Sequence, residues 1–168
     1  QTKKCAVILF HKNIQKLFKQ KWIDKCVESI LNQEKIDFDI FEINYGNEDY
    51  SVFENIKLDK KFKYLFFKKN YSTHFQAATF LLNKLFNDLD YDFVFNTNLD
   101  DYYDTKRFYY QYIDLIINNS KLNSTLWNYI TENNNENDVL AKIGNTFVYN
   151  EKIRDFKWKL NPTIKDCY

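Results

Sequence analysis

Methionine is absent from this chain of 168 residues, and glycine (2) and proline (1) are nearly so. The two glycines cannot form a phosphate loop of the G-x-G-x-x-G or G-x-x-x-x-G-K type. Dinucleotide oxidoreductases and P-loop NTPases that depend on such loops are therefore disfavoured. No Ser nucleophile elbow is present either. Cys5, Cys26 and Cys167 show no C-x-x-C spacing, which argues against a zinc site. Cys5 and Cys26 lie in apolar stretches and read as small core residues, and a free-thiol chain suits a reducing compartment. No apolar run is long enough to cross a membrane, and "CAVILF" is too short for a signal peptide. The missing Met and the start at Gln1 lead us to expect an excised or processed piece.

Net charge is small as well, at +1. With no interleaved basic and aromatic motif, we expect no nucleic-acid partner. The charge is unevenly spread. Residues 1–84 hold 15 Lys against 10 acids, and residues 85–168 hold 9 Lys/Arg against 13 acids. A basic half beside an acidic half can hold a polyphosphate and a cation, although an ordinary mixed surface gives the same count. What the chain has in quantity is apolar surface: 45% hydrophobic and 19% aromatic residues. That composition specifies a folded domain.

Along the chain, apolar runs alternate with one-sided helical patterns. "KCAVILF" (4–10), "FDIFEIN" (38–44), "FKYLFF" (62–67) and "YDFVF" (91–95) read as strands. "QKWIDKCVESILNQ" (20–33), "THFQAATFLLNKLFNDL" (73–89) and "TKRFYYQYIDLIINN" (105–119) read as helices. In the second of these, Phe75, Ala78, Thr79, Leu82, Leu85 and Phe86 share a face, and Thr73 or Ser72 can cap it. A weaker helix is expected over 48–60, and later strands over 124–131 and 141–150. The alternation predicts an α/β domain with a mostly parallel sheet and helices on both faces. Ligands of such sheets sit beyond the carboxyl ends of the strands.

The polar loops fall at those ends. "HKN" offers His11 and Asn13; His11 can stack on a base or bind a phosphate. "NYGNED" offers Asn44, able to donate and accept at a base edge, and Gly46, able to take positive φ. A plain turn explains the same residues. "KKNYS" places Lys68, Lys69 and Asn70 before a helix N-terminus, an arrangement that suits an anion and equally a solvated Lys pair. His74 follows, and a lone His is more often structural. "NTNLDD" ends the fourth strand in Asp100 and Asp101, oxygen ligands of the kind Mg²⁺ or Mn²⁺ prefers. Asp104 is expected to cap the next helix.

In order and spacing these motifs resemble the nucleotide-sugar-dependent glycosyltransferases of the GT-A fold, family 2 in particular. "HKN" stands at the first turn with Asn13 kept, and "CVESILNQ" (26–33) at the "SIL.Q" helix. "EINYGNED" (42–49) takes the place of "DDGS.D", "NYS" (70–72) that of "N.G", and "NLDD" (98–101) that of D-x-D-D. The resemblance spans about residues 4–117. Lys12 replaces an aromatic, Asn44 the first Asp of "DDGS", and Asn98 the first Asp of D-x-D.

The resemblance implies a Rossmann-like GT-A domain over 1–168 that stops short of the acceptor-binding segment. Its expected function is metal-dependent, inverting transfer of a sugar from a nucleoside-diphosphate sugar, a UDP-sugar first, to an acceptor hydroxyl on a glycan, protein or lipid. His11, Asn13, Asn44, Gly46, Lys69, Asn70 and Asn98 would line the donor, and Asp100 with Asp101 would hold Mn²⁺ or Mg²⁺. No catalytic base is identified. The Asn44 and Asn98 exchanges also fit a non-catalytic GT-A-like domain that binds a nucleotide or a protein partner. Asn70 opens a glycosylation sequon inside a donor loop, where a glycan would obstruct, and so a cytoplasmic location is expected.

Overall fold

The computed structural model describes residues 3–124, apart from 55, 57 and 60, and the backbone of three further strands at 128–130, 139–141 and 147–150. Four strands form the centre: β1 (Cys5–His11), β2 (Asp39–Asn44), β3 (Tyr64–Lys68) and β4 (Phe93–Thr97). They are parallel, in the order β3-β2-β1-β4. All seven residues of β1 are buried, as expected of a strand covered on both faces. The crossovers carry α1 (Ile14–Leu17) and α2 (Gln20–Leu31) between β1 and β2, and α3 (His74–Asn83) between β3 and β4. After β4 come α4 (Arg107–Ile117), β5 (Leu122–Ser124), β6 (Asn128–Ile130), β7 (Val139–Ala141) and β8 (Phe147–Asn150). β8 joins the sheet antiparallel to β4, with β5 beyond it, while β6 and β7 pair separately. The chain is therefore α/β with a mostly parallel centre, as the alternation predicts.

Strand alternation sorts the core into two layers. Val7, Leu9, Ile40, Phe93 and Phe95 pack with Ile23, Cys26, Val27 and Ile30 of α2 and with Phe108 and Leu115 of α4. Ala6, Ile8, Phe10, Phe41, Ile43 and Val94 pack with Ala77, Leu81 and Leu82 of α3. Cys5 and Cys26 are buried free thiols, in keeping with their reading as core residues.

Two expectations need correction. Over 48–60 the described residues form turns and no helix. The amides of Val52 and Phe53 donate to the buried Glu42 carboxylate at 2.6 and 3.3 Å, so they are not free to build a helical ladder. The buried face of α3 is also rotated. Ala77, Leu81, Leu82, Leu85 and Phe86 face the core, whereas Phe75, Ala78 and Thr79 are only partly covered. α3 runs into a π turn over Lys84–Asp88, closed by Leu89 N–H to the Lys84 carbonyl at 3.1 Å. The wider ring shifts the phase of the helix. Thr73 caps α3 as expected, in a reciprocal capping box with Gln76.

β1 has β2 on one side and β4 on the other, so the winding direction reverses between β1 and β4. In sheets of this kind such a reversal is where a ligand crevice is expected, outside the carboxyl ends of the two strands.

Candidate functional site at the carboxyl edge of the sheet

The loops after β1, β2 and β3 are laced into one rim. Tyr45 N–H donates to His11 O, Lys69 N–H to Asn44 O and Tyr71 N–H to Tyr45 O. Asn13 opens α1 in the left-handed conformation, at φ 54°, which Asn tolerates better than most residues. Gly46 lies against it. A Cβ there would come within 2.9 Å of both Asn13 Oδ1 and Lys12 Cγ. The absence of a side chain at Gly46 thus permits close approach of two loops. Its φ is not positive, contrary to the sequence expectation.

Asn44 is fully buried and committed to its own loop. Its Oδ1 accepts from Gly46 N–H at 3.0 Å, and its Nδ2 donates to the carbonyls of Glu48 and Tyr50 at 2.8 and 2.9 Å. It therefore shapes the loop and leaves no exposed edge for a base. His11 is likewise buried, its Nε2 2.6 Å from Glu42 Oε1.

Glu42 is the residue that sequence reasoning passed over. It is completely buried and accepts from His11, Ser51 Oγ, the Tyr64 hydroxyl and the amides of Val52 and Phe53. Burial works to raise its pKa, but the donated hydrogen bonds and the neighbouring His11 outweigh it and hold the carboxyl below its ordinary 4.5. The signal was an acid on the inward side of the alternating "DIFEIN".

Lysines border this rim. Lys68 Nζ caps the carbonyls of Gly46, at 2.8 Å, and Glu48. Lys12 Nζ reaches Tyr71 O at 3.4 Å, and Lys69 lies over the Phe80 ring at 4.9 Å. Lys69 and Asn70 are exposed. His74 sits edge-on to Phe10, with centroids 4.1 Å apart, and burial depresses its pKa to about 4.

Across the crevice, β4 ends in a turn closed by Asp101 N–H to Asn98 O at 3.2 Å. Asp100 is exposed and Asp101 half-buried. Asn98 Nδ2 lies 3.4 Å from Asp101 Oδ2. Burial raises the Asp101 pKa, and the Asp100 charge beside it raises it further. Asp104 Oδ1 accepts from Lys106 N–H at 2.9 Å, and its carbonyl accepts from Arg107 N–H. The N-cap position itself belongs to Lys106, so Asp104 forms the turn before the helix.

Adjacent carboxylates, of which Asp101 is made harder to ionise by burial and by the Asp100 charge, suit a hard cation. Among the described residues no group of three His, Cys, Asp or Glu is placed to hold a metal. Asp100 and Asp101 fit such an ion only if phosphate oxygens and water complete its shell. The later acids among which a general base would be sought, Glu132, Glu136, Asp138, Glu151, Asp155 and Asp166, lie outside the described residues. Among the described residues no helix is long and apolar enough to cross a membrane.

No family model matches the sequence, and no curated protein matches it significantly. Solved structures do match. Residues 1–349 of S. aureus TarS superpose with TM-score 0.59 at 14% identity over 89% of this chain and 48% of that one. The same fragment in complex with UDP-GlcNAc gives TM-score 0.59 at 14% identity, over 89% and 46%. The 4-diphosphocytidyl-2C-methyl-D-erythritol synthase of Anaerococcus prevotii gives 0.56 at 15% identity, over 90% and 73%. The chain thus spans about half the length of the TarS fragment. At these identities the likeness establishes the fold alone, and that fold is GT-A-like, a mostly parallel α/β sheet.

Proposed function

We propose that this domain binds a nucleoside-diphosphate sugar, together with a divalent cation, across the crevice between β1 and β4, and that it serves as the donor half of a glycosyltransferase. One observation carries the reading. The strand-end loops set lysines and a tightly laced polar rim on one side of the crevice and the Asp100–Asp101 pair on the other. This division suits a diphosphate bridged to a metal. The fold supports it, since TarS has been solved with UDP-GlcNAc and with UDP.

In this reading Asn13, Gly46, Lys69 and Asn70 border the donor, and Asn98 lies near its ribose and diphosphate. His11 and Asn44 act from beneath, by fixing the rim. Asp100 and Asp101 hold Mn²⁺ or Mg²⁺, which supplies charge neutralisation to the departing diphosphate. The transfer forms a bond from the acceptor oxygen to the anomeric carbon and breaks the bond from that carbon to the diphosphate. The acceptor's proton passes to a base outside the described residues. A second reading, binding without turnover, draws on Asn98, which brings an amide where a third carboxylate would strengthen the metal site.

Thermal-shift measurement with UDP, GDP, dTDP and an RNA oligomer, each with and without Mn²⁺, tests the proposal. A ligand that binds the folded state raises Tm by mass action. A rise with one nucleoside diphosphate, larger with Mn²⁺, is expected. No shift with any diphosphate, or a shift with RNA alone, would contradict it.

A further inference from the structure

β4 stops pairing with β1 at Thr97, opposite Leu9. Its register with β8 covers only Phe93 to Phe95. Among the described residues, Asn98, the first residue of the carboxylate turn, therefore has no strand partner in either register. A side chain takes that place. Asn98 N–H donates to the Tyr103 hydroxyl at 2.8 Å, and the same hydroxyl donates back to Asn98 O at 3.2 Å. One phenol thus accepts from and donates to a single residue, as a neighbouring strand would. The Cys26 thiol of α2 donates to the same carbonyl at 3.2 Å.

Tyr103 is itself held. The Arg107 guanidinium stacks on its ring at 4.3 Å. Arg107 is buried, and it donates through Nη2 to Asn96 O and through Nε to Gln111 Oε1, each at 2.8 Å. Burial lowers the Arg107 pKa to about 10, so it keeps its charge at neutral pH, and that charge favours ionised Asp101.

We propose that Tyr103, backed by Arg107, is the positioning residue for the carboxylate turn: its hydroxyl fixes the Asn98 backbone and so sets the direction of Asp100 and Asp101. The role in metal binding rests on the reading above; the clamp on Asn98 does not. It accounts for how a turn beyond the last ladder bond, closed on itself by Asp101 N–H to Asn98 O, is anchored to the body of the domain. A preorganised pair binds a cation without first losing the freedom of the turn.

The test uses Tyr103→Phe, which keeps the ring against Arg107 and removes only the hydroxyl. Tyr112→Phe, whose ring packs on Phe93 at the far end of β4, makes the same chemical change elsewhere. Residue-resolved amide exchange of the full chain is read first, without ligand. The Asn98 amide should exchange slowly in the parent and at least about tenfold faster in Tyr103→Phe. The amides of Val94 and Phe95 should keep their rates, and Tyr112→Phe should leave Asn98 unchanged. UDP titration is read second. Tyr103→Phe should lose about tenfold of the Mn²⁺-dependent gain in affinity, with metal-free UDP binding unaltered. Fast exchange of Asn98 in the parent, or unchanged exchange in Tyr103→Phe, would overturn the clamp. So would an equal rise along the whole of β4, which marks general loosening. If the parent binds neither Mn²⁺ nor UDP, the proposed function fails while the exchange arm still decides the clamp.

Discussion

Glu42 is a buried carboxylate with five donors, and its energetics follow from that count. Replacing it by Gln turns one acceptor oxygen into a donor amide facing other donors. Glu42→Gln should cost about 1–3 kcal/mol, the usual penalty for leaving buried polar groups unpaired, measured by urea unfolding at neutral pH. The linkage has a definite sign. Glu42 titrates below its ordinary 4.5 in the folded state. Its contribution is complete above that value and is lost as pH falls through the lowered folded value. The Gln variant should lack that part of the acid-induced loss. Gly46→Ala probes the same rim sterically, because the new methyl meets Asn13 and Lys12 at 2.9 Å. It should lower stability by about 1–3 kcal/mol, as overpacking does. Asn44→Ala should likewise lower Tm, since it strips partners from Glu48 and Tyr50 carbonyls.

At the scale of elements, helix α3 carries the clearest sequence signal and the clearest misreading. Its start was legible because Ser/Thr followed three residues later by Gln is a capping pattern. Thr73→Ala should cost about 0.5–2 kcal/mol in thermal unfolding. Its buried face was not legible, because ideal periodicity cannot foresee the π turn that begins at Lys84. The segment after β2 failed for a related reason. Its amides are captured by Glu42, a tertiary partner that local propensity does not contain. The first residue of α3 also sets a pH response. His74 titrates near 4 in the fold against an ordinary 6.5, with burial as the cause. The neutral ring's contribution is whole above 6.5 and declines as pH falls toward 4. In a Tm profile over that window, His74→Leu should give a flatter curve than the parent.

At the scale of the molecule, the parallel character of the first four strands and the place of the polar loops could be read directly. Strand, helix and loop alternate there with few exceptions, and a buried parallel strand is a run of apolar residues. The roles of individual loop residues were less visible. Asn44 and His11 look like ligand contacts in a string of letters, yet the fold turns both inward. Tyr103 is one more tyrosine in an aromatic-rich chain until β4 ends at Thr97 and Asn98 needs a partner. The central claim concerns two halves of one crevice that only the fold brings together. Calorimetric titration of UDP into the parent chain and into Asp100→Ala, with and without Mn²⁺, tests it most directly. We predict that Mn²⁺ tightens UDP binding in the parent, that Asp100→Ala abolishes the tightening, and that metal-free affinity is the same in both. Metal-dependent binding undiminished in Asp100→Ala, or no UDP binding by the parent in Mn²⁺, would contradict the account.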